Sequence, residues 1–532
     1  MPSRTLSSFT LSDLAFSWPD GEQVFDGVDG VFPGGRTGLV GRNGVGKSTL
    51  LRLIAGRLTP DRGSVTVAGD LAYLRQDLTL DPTRTVDAVL GIEPQRKAVH
   101  RIESGQGMDD DFAVATGQWD VEERAVATLD RLGLAHVAGT PESLGRTVGT
   151  LSGGETMLLG VTAALLAEPQ VLLLDEPTNN LDLRAKSRLY AAIDQFAGIA
   201  VIVSHDRELL DRMDTIAELR SGELRFFGGN FAHYLDAVDT EQEAARAAVR
   251  DARADVRRQS RELVETQTKI DRRQRYGKKT ESSIPRILAG ERKRQAQASA
   301  GKLRGVHADR LDDARRTLTE AEDAVRDDKE IRIDLPDSVV HPGQRVLELD
   351  TTLASGQRVE LSVIGPERIA LVGRNGIGKS TLLRAVSEAS PSVPWRSLPQ
   401  RLDVFDESRT LAQNVADAAP HAADEQIRGR LARFLFRGRD ADVPAAALSG
   451  GERLRAALAT ILLAEPPPRL LLLDEPTNNL DLPSLRHLTE ALAQFRGALI
   501  VAGHDLPFLR EIGPTRWLEL TEEGLSEIDP PA

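Results

Sequence analysis

The chain says the same thing twice. Gly41–Arg52 reads GRNGVGKSTLLR, and Gly373–Arg384 reads GRNGIGKSTLLR. Leu151–Glu155 and Leu448–Glu452 are both LSGGE, and LLLDEPTNNLDL occupies Leu172–Leu183 and again Leu471–Leu482. VSHD at Val203–Asp206 returns as AGHD at Ala502–Asp505. The order is the same in both halves, and 30 residues separate Asp175 from His205 as they separate Asp474 from His504. Four ordered blocks that occur twice mean a duplicated unit. A chain of 532 residues is too long for one core, so two copies of one domain plus an intervening segment account for it.

Each copy reads as α/β. An apolar run (RTGLVG, RIALVG) enters a glycine-rich turn and then a helical pattern (STLLRLIAG, STLLRAVSE). Two more apolar runs follow, VLLLDEP and IAVIVSH in the first copy, LLLLDEP and ALIVAGH in the second. Short apolar runs ending in polar residues suit buried parallel strands.

The turn has the P-loop pattern GxxxxGK[ST]. Backbone N–H groups must curl around phosphate oxygens there, which calls for glycine at Gly41, Gly44 and Gly46 and at Gly373, Gly376 and Gly378. The following helix adds its positive end. Lys47 and Lys379 supply charge to the outer phosphates, and Ser48 and Ser380 offer hydroxyls to Mg²⁺. Asp175 and Asp474 end apolar strands, where a Mg²⁺-holding carboxylate belongs, and the adjacent Glu176 and Glu475 are placed to polarise an attacking water. Gln76 and Gln400 follow the next apolar stretches and can reach the metal. His205 and His504 end the last strand and can contact a γ-phosphate.

Together these blocks resemble the ATP-binding cassette superfamily, in tandem. The resemblance covers both ends of the chain and implies that each LSGGE closes the ATP site of the opposite cassette. Site one would then comprise Gly41, Asn43, Gly44, Gly46, Lys47, Ser48, Thr49, Gln76, Asp175, Glu176 and His205, closed by Ser449, Gly450, Gly451 and Glu452. Site two would comprise Gly373, Asn375, Gly376, Gly378, Lys379, Ser380, Thr381, Gln400, Asp474, Glu475 and His504, closed by Ser152, Gly153, Gly154 and Glu155. Asp182 and Asp481 match the loop aspartate that couples the two sites in that family. Glu176, Glu475, His205 and His504 would be catalytic; Ser48, Gln76, Asp175, Ser380, Gln400 and Asp474 would hold the metal. Members often stack adenine on an aromatic upstream of the P-loop. Trp18 fits in the first copy, whereas the second has ELDTTLASGQRVEL there, with no aromatic.

Between the copies, residues 230–276 contain no Gly or Pro, and Val249, Val256, Leu263 and Ile270 recur every seven residues. Leu311, Ala314, Leu318, Ala321 and Val325 then repeat at three and four. Both read as helices with a narrow apolar seam, so an antiparallel hairpin is expected. The expected boundaries are 1–237, 238–335 and 336–532: two P-loop α/β cassettes joined by a long helical hairpin.

Charge is unevenly spread. The whole chain carries −13, yet residues 271–305 hold eleven Lys and Arg against three Asp and Glu, a net +8 that leaves −21 on the remainder. A basic tip on an acidic protein suits phosphate-backbone binding, with Arg286, Arg292, Lys293, Arg294, Lys302 and Arg304 as candidate RNA contacts. Tyr276, Ile284, Pro285, Ile287 and Leu288 add apolar side chains. There is no cysteine, which excludes disulfides and thiolate chemistry and favours a reducing, cytoplasmic setting. No apolar run approaches the roughly 20 residues that span a bilayer, and the N-terminal residues have no signal-like apolar core.

Two cassettes, no membrane segment and a charged helical linker resemble the ABC-F family. That resemblance implies a monomer that pairs its own cassettes around ATP and Mg²⁺. It further implies binding at the large-subunit exit site of the ribosome, with the linker near peptidyl-tRNA, 23S rRNA and the peptidyl transferase centre. PRILAGERKRQAQASAGKLRG (Pro285–Gly305) is similar to linkers of actinobacterial members that protect ribosomes from antibiotics. A housekeeping translation factor of the same family, or the motor of an exporter with a separate membrane subunit, are the alternative expectations. From Lys47 to Ser152 is 105 residues, against 70 from Lys379 to Ser449. The first copy should therefore carry a larger helical subdomain there, the place where some members have a ribosome-contacting arm.

Overall fold

The computed structural model describes residues 8–67, 69–76, 81–149, 151–280, 286–325, 338–354, 356–399, 405–448, 450–478 and 480–531, with side chains outside 270, 273–274 and 276–304. It divides into two compact units, Met1–Phe231 with Lys329–Ala532, and Ala232–Asp328. The first unit thus holds both halves of the duplication.

Strands in the first half are β1 (Phe9–Ser17), β2 (Gln23–Phe32), β3 (Arg36–Val40), β4 (Arg62–Val67), β5 (Leu71–Leu74), β6 (Val171–Asp175), β7 (Ile199–Val203), β8 (Thr215–Arg220) and β9 (Glu223–Gly228). In the second they are β10 (Arg345–Thr352), β11 (Arg358–Ile364), β12 (Arg368–Val372), β13 (Trp395–Leu398), β14 (Leu470–Asp474), β15 (Ala498–Ala502), β16 (Arg516–Thr521) and β17 (Gly524–Ile528). The main sheets have the orders β5-β6-β7-β3-β8-β9 and β13-β14-β15-β12-β16-β17. All neighbours pair in parallel except the antiparallel last strand of each. Every residue of β6 and β7 is buried, as expected of strands covered on both faces.

This order positions the chemistry. β3 starts the α/β core in the chain but lies between β7 and β8, so P-loop, Asp175 and His205 all emerge at the carboxyl ends of adjacent strands. Open parallel sheets bind ligands at that edge. The P-loop leads into the helix Lys47–Ile54 in the first copy and Lys379–Glu388 in the second. The residues before them, Gly46 and Gly378, have φ of 105° and 112°, and a Cβ on Gly46 would lie 2.7 Å from Val24 and 2.8 Å from Phe25. Glycine is required there on both counts.

The two halves differ at their antiparallel sheets and helical subdomains. The first has the three-stranded sheet β2-β1-β4; among the described residues the second has the pair β10-β11, its P-loop helix leading almost directly into β13. The first helical subdomain contains the extra pair Glu93–Glu103 and Asp109–Ala115, packed through Ala98, Val99, Ile102 and Ala115. Met108, Phe112, Val114 and Trp119 in this region are exposed.

The second unit is built on two long helices, Phe231–Thr280 of 50 residues and Arg286–Ala324 of 39. The longer would measure about 75 Å. Val249 and Ala252 of one and Leu311 and Ala314 of the other are buried, and Arg253 pairs with Glu322 at 2.7 Å. The expected seam residues Val256, Leu263, Leu318, Ala321 and Val325 are half-buried. Among the described residues no helix is long and apolar enough to cross a membrane.

Candidate functional site

Two similar clusters form at the carboxyl edges of the sheets. In the first, Lys47 is buried and its Nζ donates to the carbonyls of Gly41 at 2.7 Å and Arg42 at 3.1 Å. Ser48 Oγ donates to Asp175 Oδ1 at 3.0 Å, and Tyr73 reaches Asp175 Oδ2 at 3.5 Å. His205 Nε2 lies 3.4 Å from Glu176 Oε1. In the second, Lys379 Nζ donates to Gly373 O at 3.0 Å and lies 2.6 Å from His504 Nε2 and 3.4 Å from Glu475. His504 Nε2 is also 3.3 Å from Glu475 and 2.9 Å from Asn375 Oδ1. Gln76 follows β5 and is exposed; Gln400 lies outside the described residues.

Glu176 and Glu475 share a backbone feature. Both have left-handed φ, 49° and 46°, and each donates its N–H to the end of the neighbouring strand, at Val203 O and Ala502 O, both 2.9 Å. Such a conformation costs on the order of 1–3 kcal/mol in a non-glycine residue and gathers at functional sites. Burial pushes the Glu176 carboxyl up to about 8, Lys47 opposing and Asp175 reinforcing the rise. Burial also raises Glu475, against Lys379. Burial holds both histidines neutral, pushed down to about 3, with the nearby lysines adding to the effect.

The clusters are joined by a reciprocal contact. Asp182 caps the helix Leu183–Gln195 through Oδ1, which accepts from Ala185 N at 2.9 Å; its Oδ2 accepts from Asn375 N in the opposite P-loop at 3.4 Å. Asp481 does the same in the other direction: Oδ1 takes Ser484 N at 3.0 Å and Oδ2 takes Asn43 N at 3.0 Å. Asn375 Nδ2 also donates to Asn180 O at 2.7 Å. Burial opposes ionisation of Asp481, but hydrogen bonds from Ser484 and Asn43 outweigh it and hold the carboxyl below its usual range.

Ser152 caps the helix Gly153–Leu166 in a box with Glu155, whose Oε2 accepts from Ser152 N at 2.8 Å. A Cβ on Gly154 would lie 2.9 Å from Asn180 O, so this turn packs on the residue that touches the opposite P-loop. The matching helix Gly450–Leu462 carries Gly450, Gly451 and Glu452; Ser449 lies outside the described residues.

The expected aromatic asymmetry has a structural counterpart. Trp18 N donates to Glu22 O and Gly21 N to Trp18 O, at 2.8 and 2.9 Å; Leu353, Gly356 and Gln357 repeat this turn at 2.9 and 2.8 Å. Leu353 therefore stands where Trp18 stands. Trp18 is half-buried, edge-on to Phe16 at 5.1 Å, whereas Leu353 is buried. Gln357, which sequence reasoning passed over, is buried and donates to Ile377 O of the P-loop at 3.3 Å and to Thr521 O at 3.0 Å.

The residues fit a nucleotide phosphate chain with a hard divalent cation. Asp474 Oδ1 and both ring nitrogens of His205 are buried without a hydrogen-bond partner, and Ser48 is already aligned on Asp175. Hydroxyl and carboxylate oxygens are the donors Mg²⁺ takes. The tip side chains of Arg286, Arg292, Lys293, Arg294, Lys302 and Arg304, and Ile284, lie outside the described residues.

The sequence pattern described as ABC transporter matches residues 30–179 and 356–478, just over half of the chain. The tylosin resistance ATP-binding protein TlrC of Streptomyces fradiae is 35% identical, over 89% of this chain and 90% of its own length. ABC transporter F family member 5 of Arabidopsis thaliana is 29% identical, over 90% of this chain and 70% of its own. Among solved structures, RNase-L Inhibitor superposes with a TM-score of 0.50 at 18% identity, covering 98% of this chain and 90% of that one, a likeness of fold.

Proposed function

The chain belongs to the ATP-binding cassette family, as a tandem ATPase of the ABC-F type, and from that premise we propose that it hydrolyses ATP at two composite sites and acts on the ribosome through its helical hairpin. The observation that carries the two-site reading is the reciprocal contact of Asp182 and Asp481 with the opposite P-loops. Each site then senses whether the other cassette is docked. We assign the domains as 1–237, 238–335 and 336–532.

At each site the P-loop amides and Lys47 or Lys379 bind the β- and γ-phosphates. Ser48 with Asp175, and Ser380 with Asp474, would hold Mg²⁺ together with Gln76 or Gln400; the metal neutralises charge that develops on the phosphate oxygens. Glu176 and Glu475 accept a proton from the water that attacks the γ-phosphorus, while the bond to the ADP oxygen breaks and phosphate leaves. A buried carboxylate whose charged form is disfavoured is a stronger base than one in water. Neutral His205 and His504 donate a hydrogen bond to the γ-phosphate rather than a charge. The signature residues Ser152–Glu155 and Ser449–Glu452 complete the site of the opposite cassette when the two halves close.

The hairpin is the effector. Its basic tip is suited to rRNA backbone, and we place its action at the large-subunit exit site, near peptidyl-tRNA, in the cytoplasm. Similarity to a tylosin resistance protein over nearly the full length of both chains favours ribosomal protection against an antibiotic. The direct test is ATP turnover by the purified protein with and without ribosomes, alongside growth of a deletion strain on large-subunit antibiotics. No turnover in either condition would overturn the reading.

The Trp18–Leu353 difference adds a prediction. Stacking a base on an aromatic contributes roughly 1–3 kcal/mol, and only the first site has the ring. Trp18→Ala should raise the ATP concentration for half-maximal activity about tenfold and weaken discrimination against GTP, read in steady-state kinetics with both nucleotides. An unchanged nucleotide profile would leave Trp18 as a packing residue on Phe16.

A further inference from the structure

Lys186 lies on the helix Leu183–Gln195, four residues beyond Asp182; the second cassette has Leu485 four residues beyond Asp481. Lys186 reaches across the boundary between the cassettes. Its Nζ is 2.7 Å from Asp206 Oδ2 and donates to the backbone carbonyl of His504 at 3.4 Å. Asp206 is itself fixed by Tyr190 Oη at 2.9 Å and Leu209 N at 3.0 Å. Asp505 is its counterpart and accepts from Phe508 N at 3.0 Å.

The charges explain why a lysine is useful here. Burial raises the Asp505 carboxyl, and Asp206 across the boundary adds to the rise while Lys186 opposes it. Burial alone would raise Asp206 too, but Lys186 outweighs it and keeps that carboxylate charged. The ammonium is held charged in turn, Asp206 outweighing burial. One buried cation thus offsets two carboxylates that meet between the cassettes, and the symmetry-related position, Leu485, is buried and apolar. A second contact has the same one-sidedness: Arg207 pairs with Glu511 of the second cassette, while Leu506 occupies the place of Arg207. A cavity of about 40 Å³ lies at this junction, where Glu176, Lys186, Asp206, His504 and Asp505 meet Leu480 and Leu485.

We propose that Lys186 is a positioning residue supplied in trans by the first cassette to the second nucleotide site, and that the first site works without an equivalent. Lys186 acts through the His504 carbonyl, and the His504 ring touches Lys379 and Glu475. The second site is therefore assembled only when the first cassette is docked, and the two sites differ in how they register closure. This rests on the two-site ATPase reading.

The test uses half-site enzymes. In Glu176→Gln only site two turns over, and in Glu475→Gln only site one. Into each is placed Lys186→Met with Asp206→Asn, which removes the ion pair together and leaves Asp505, whose carboxyl burial already raises and which no longer faces the Asp206 charge. In the site-two enzyme kcat should fall about tenfold with little change in KM, as misplacement of reacting groups does. In the site-one enzyme it should stay within about twofold. Lys186→Arg should recover most of the site-two rate, which a variant that merely misfolds would not allow. Equal losses in both enzymes, or none at site two, would overturn the proposal while the half-site rates still stand. If Glu176→Gln and Glu475→Gln each turn over at the parental rate, the two-site reading falls, and this proposal with it.

Discussion

Replacing Glu176 and Glu475 together by Gln is expected to lower kcat for ATP hydrolysis by about 100-fold or more while leaving ATP binding intact, the loss typical of removing a general base. Gln keeps the shape and a hydrogen-bonding carbonyl at each left-handed position, and the hydrogen bonds of Lys47 and Lys379 to the P-loop carbonyls do not involve the glutamates, so ATP binding should survive. It also removes a carboxylate whose charge burial opposes at both sites. The variant should unfold no more readily than the parent, which separates a chemical defect from a folding one. Rapid mixing with labelled ATP, followed by filtration and thin-layer separation, reads retention and hydrolysis together. Retained, unhydrolysed nucleotide is the expected result. Parental turnover would show that neither glutamate is the base.

The second large effect concerns the hairpin. Arg292→Glu, Lys293→Glu and Arg294→Glu remove three positive charges and add three negative ones at the tip of the linker. Removing one cation from a phosphate lowers the slope of log affinity against log salt by roughly 0.7–0.9. The slope for ribosome association should therefore fall by about 2–3, with weaker binding at every salt concentration. Ile284→Ala, Ile287→Ala and Leu288→Ala change little charge. That variant should still associate with ribosomes yet lose protection against large-subunit antibiotics, since it keeps the docking charge and removes apolar surface at the tip. Basal ATPase activity should be near normal in both. Unaltered protection in both would reduce the hairpin to a spacer, and loss in the charge variant alone would confine the tip to docking.

Much of this architecture was legible in the sequence because the chemistry is local. A P-loop carries its turn, lysine and helix start within a few residues, so Gly46 at φ 105° and the buried Lys47 follow directly from GRNGVGKST. Asp175 ends a strand that is apolar throughout, and Asp182 sits at the start of a helix. Their partners were reached through family resemblance, since Asn375 is 193 residues from Asp182 and no periodicity links them. Lys186 was invisible for the same reason. On a helix with Arg184 and Arg188 nearby it reads as one more solvated cation; the fold of its own cassette sets it against Asp206, and only the second cassette brings the His504 carbonyl to it. Comparing the copies position by position, Lys186 against Leu485 and Arg207 against Leu506, is the signal that would have found it. Gln357 was missed because a glutamine in a hairpin turn looks like surface; its role depends on the P-loop carbonyl of Ile377, 20 residues on. The left-handed backbone of Glu176 and Glu475 had no local cue at all, since glycine rather than glutamate announces that conformation.

Co-sedimentation of the Glu176→Gln, Glu475→Gln protein with purified ribosomes, with ATP, with ADP and without nucleotide, shows whether the ATP-closed form is the one that binds the ribosome. ATP closes the cassettes in the proposed cycle, and the closed form is the one that binds. The double variant should pellet with ribosomes in ATP and stay in the supernatant in ADP or without nucleotide, and the parent should pellet only transiently in ATP. Pelleting that ignores the nucleotide, or a double variant that stays in the supernatant with ATP bound, would contradict it.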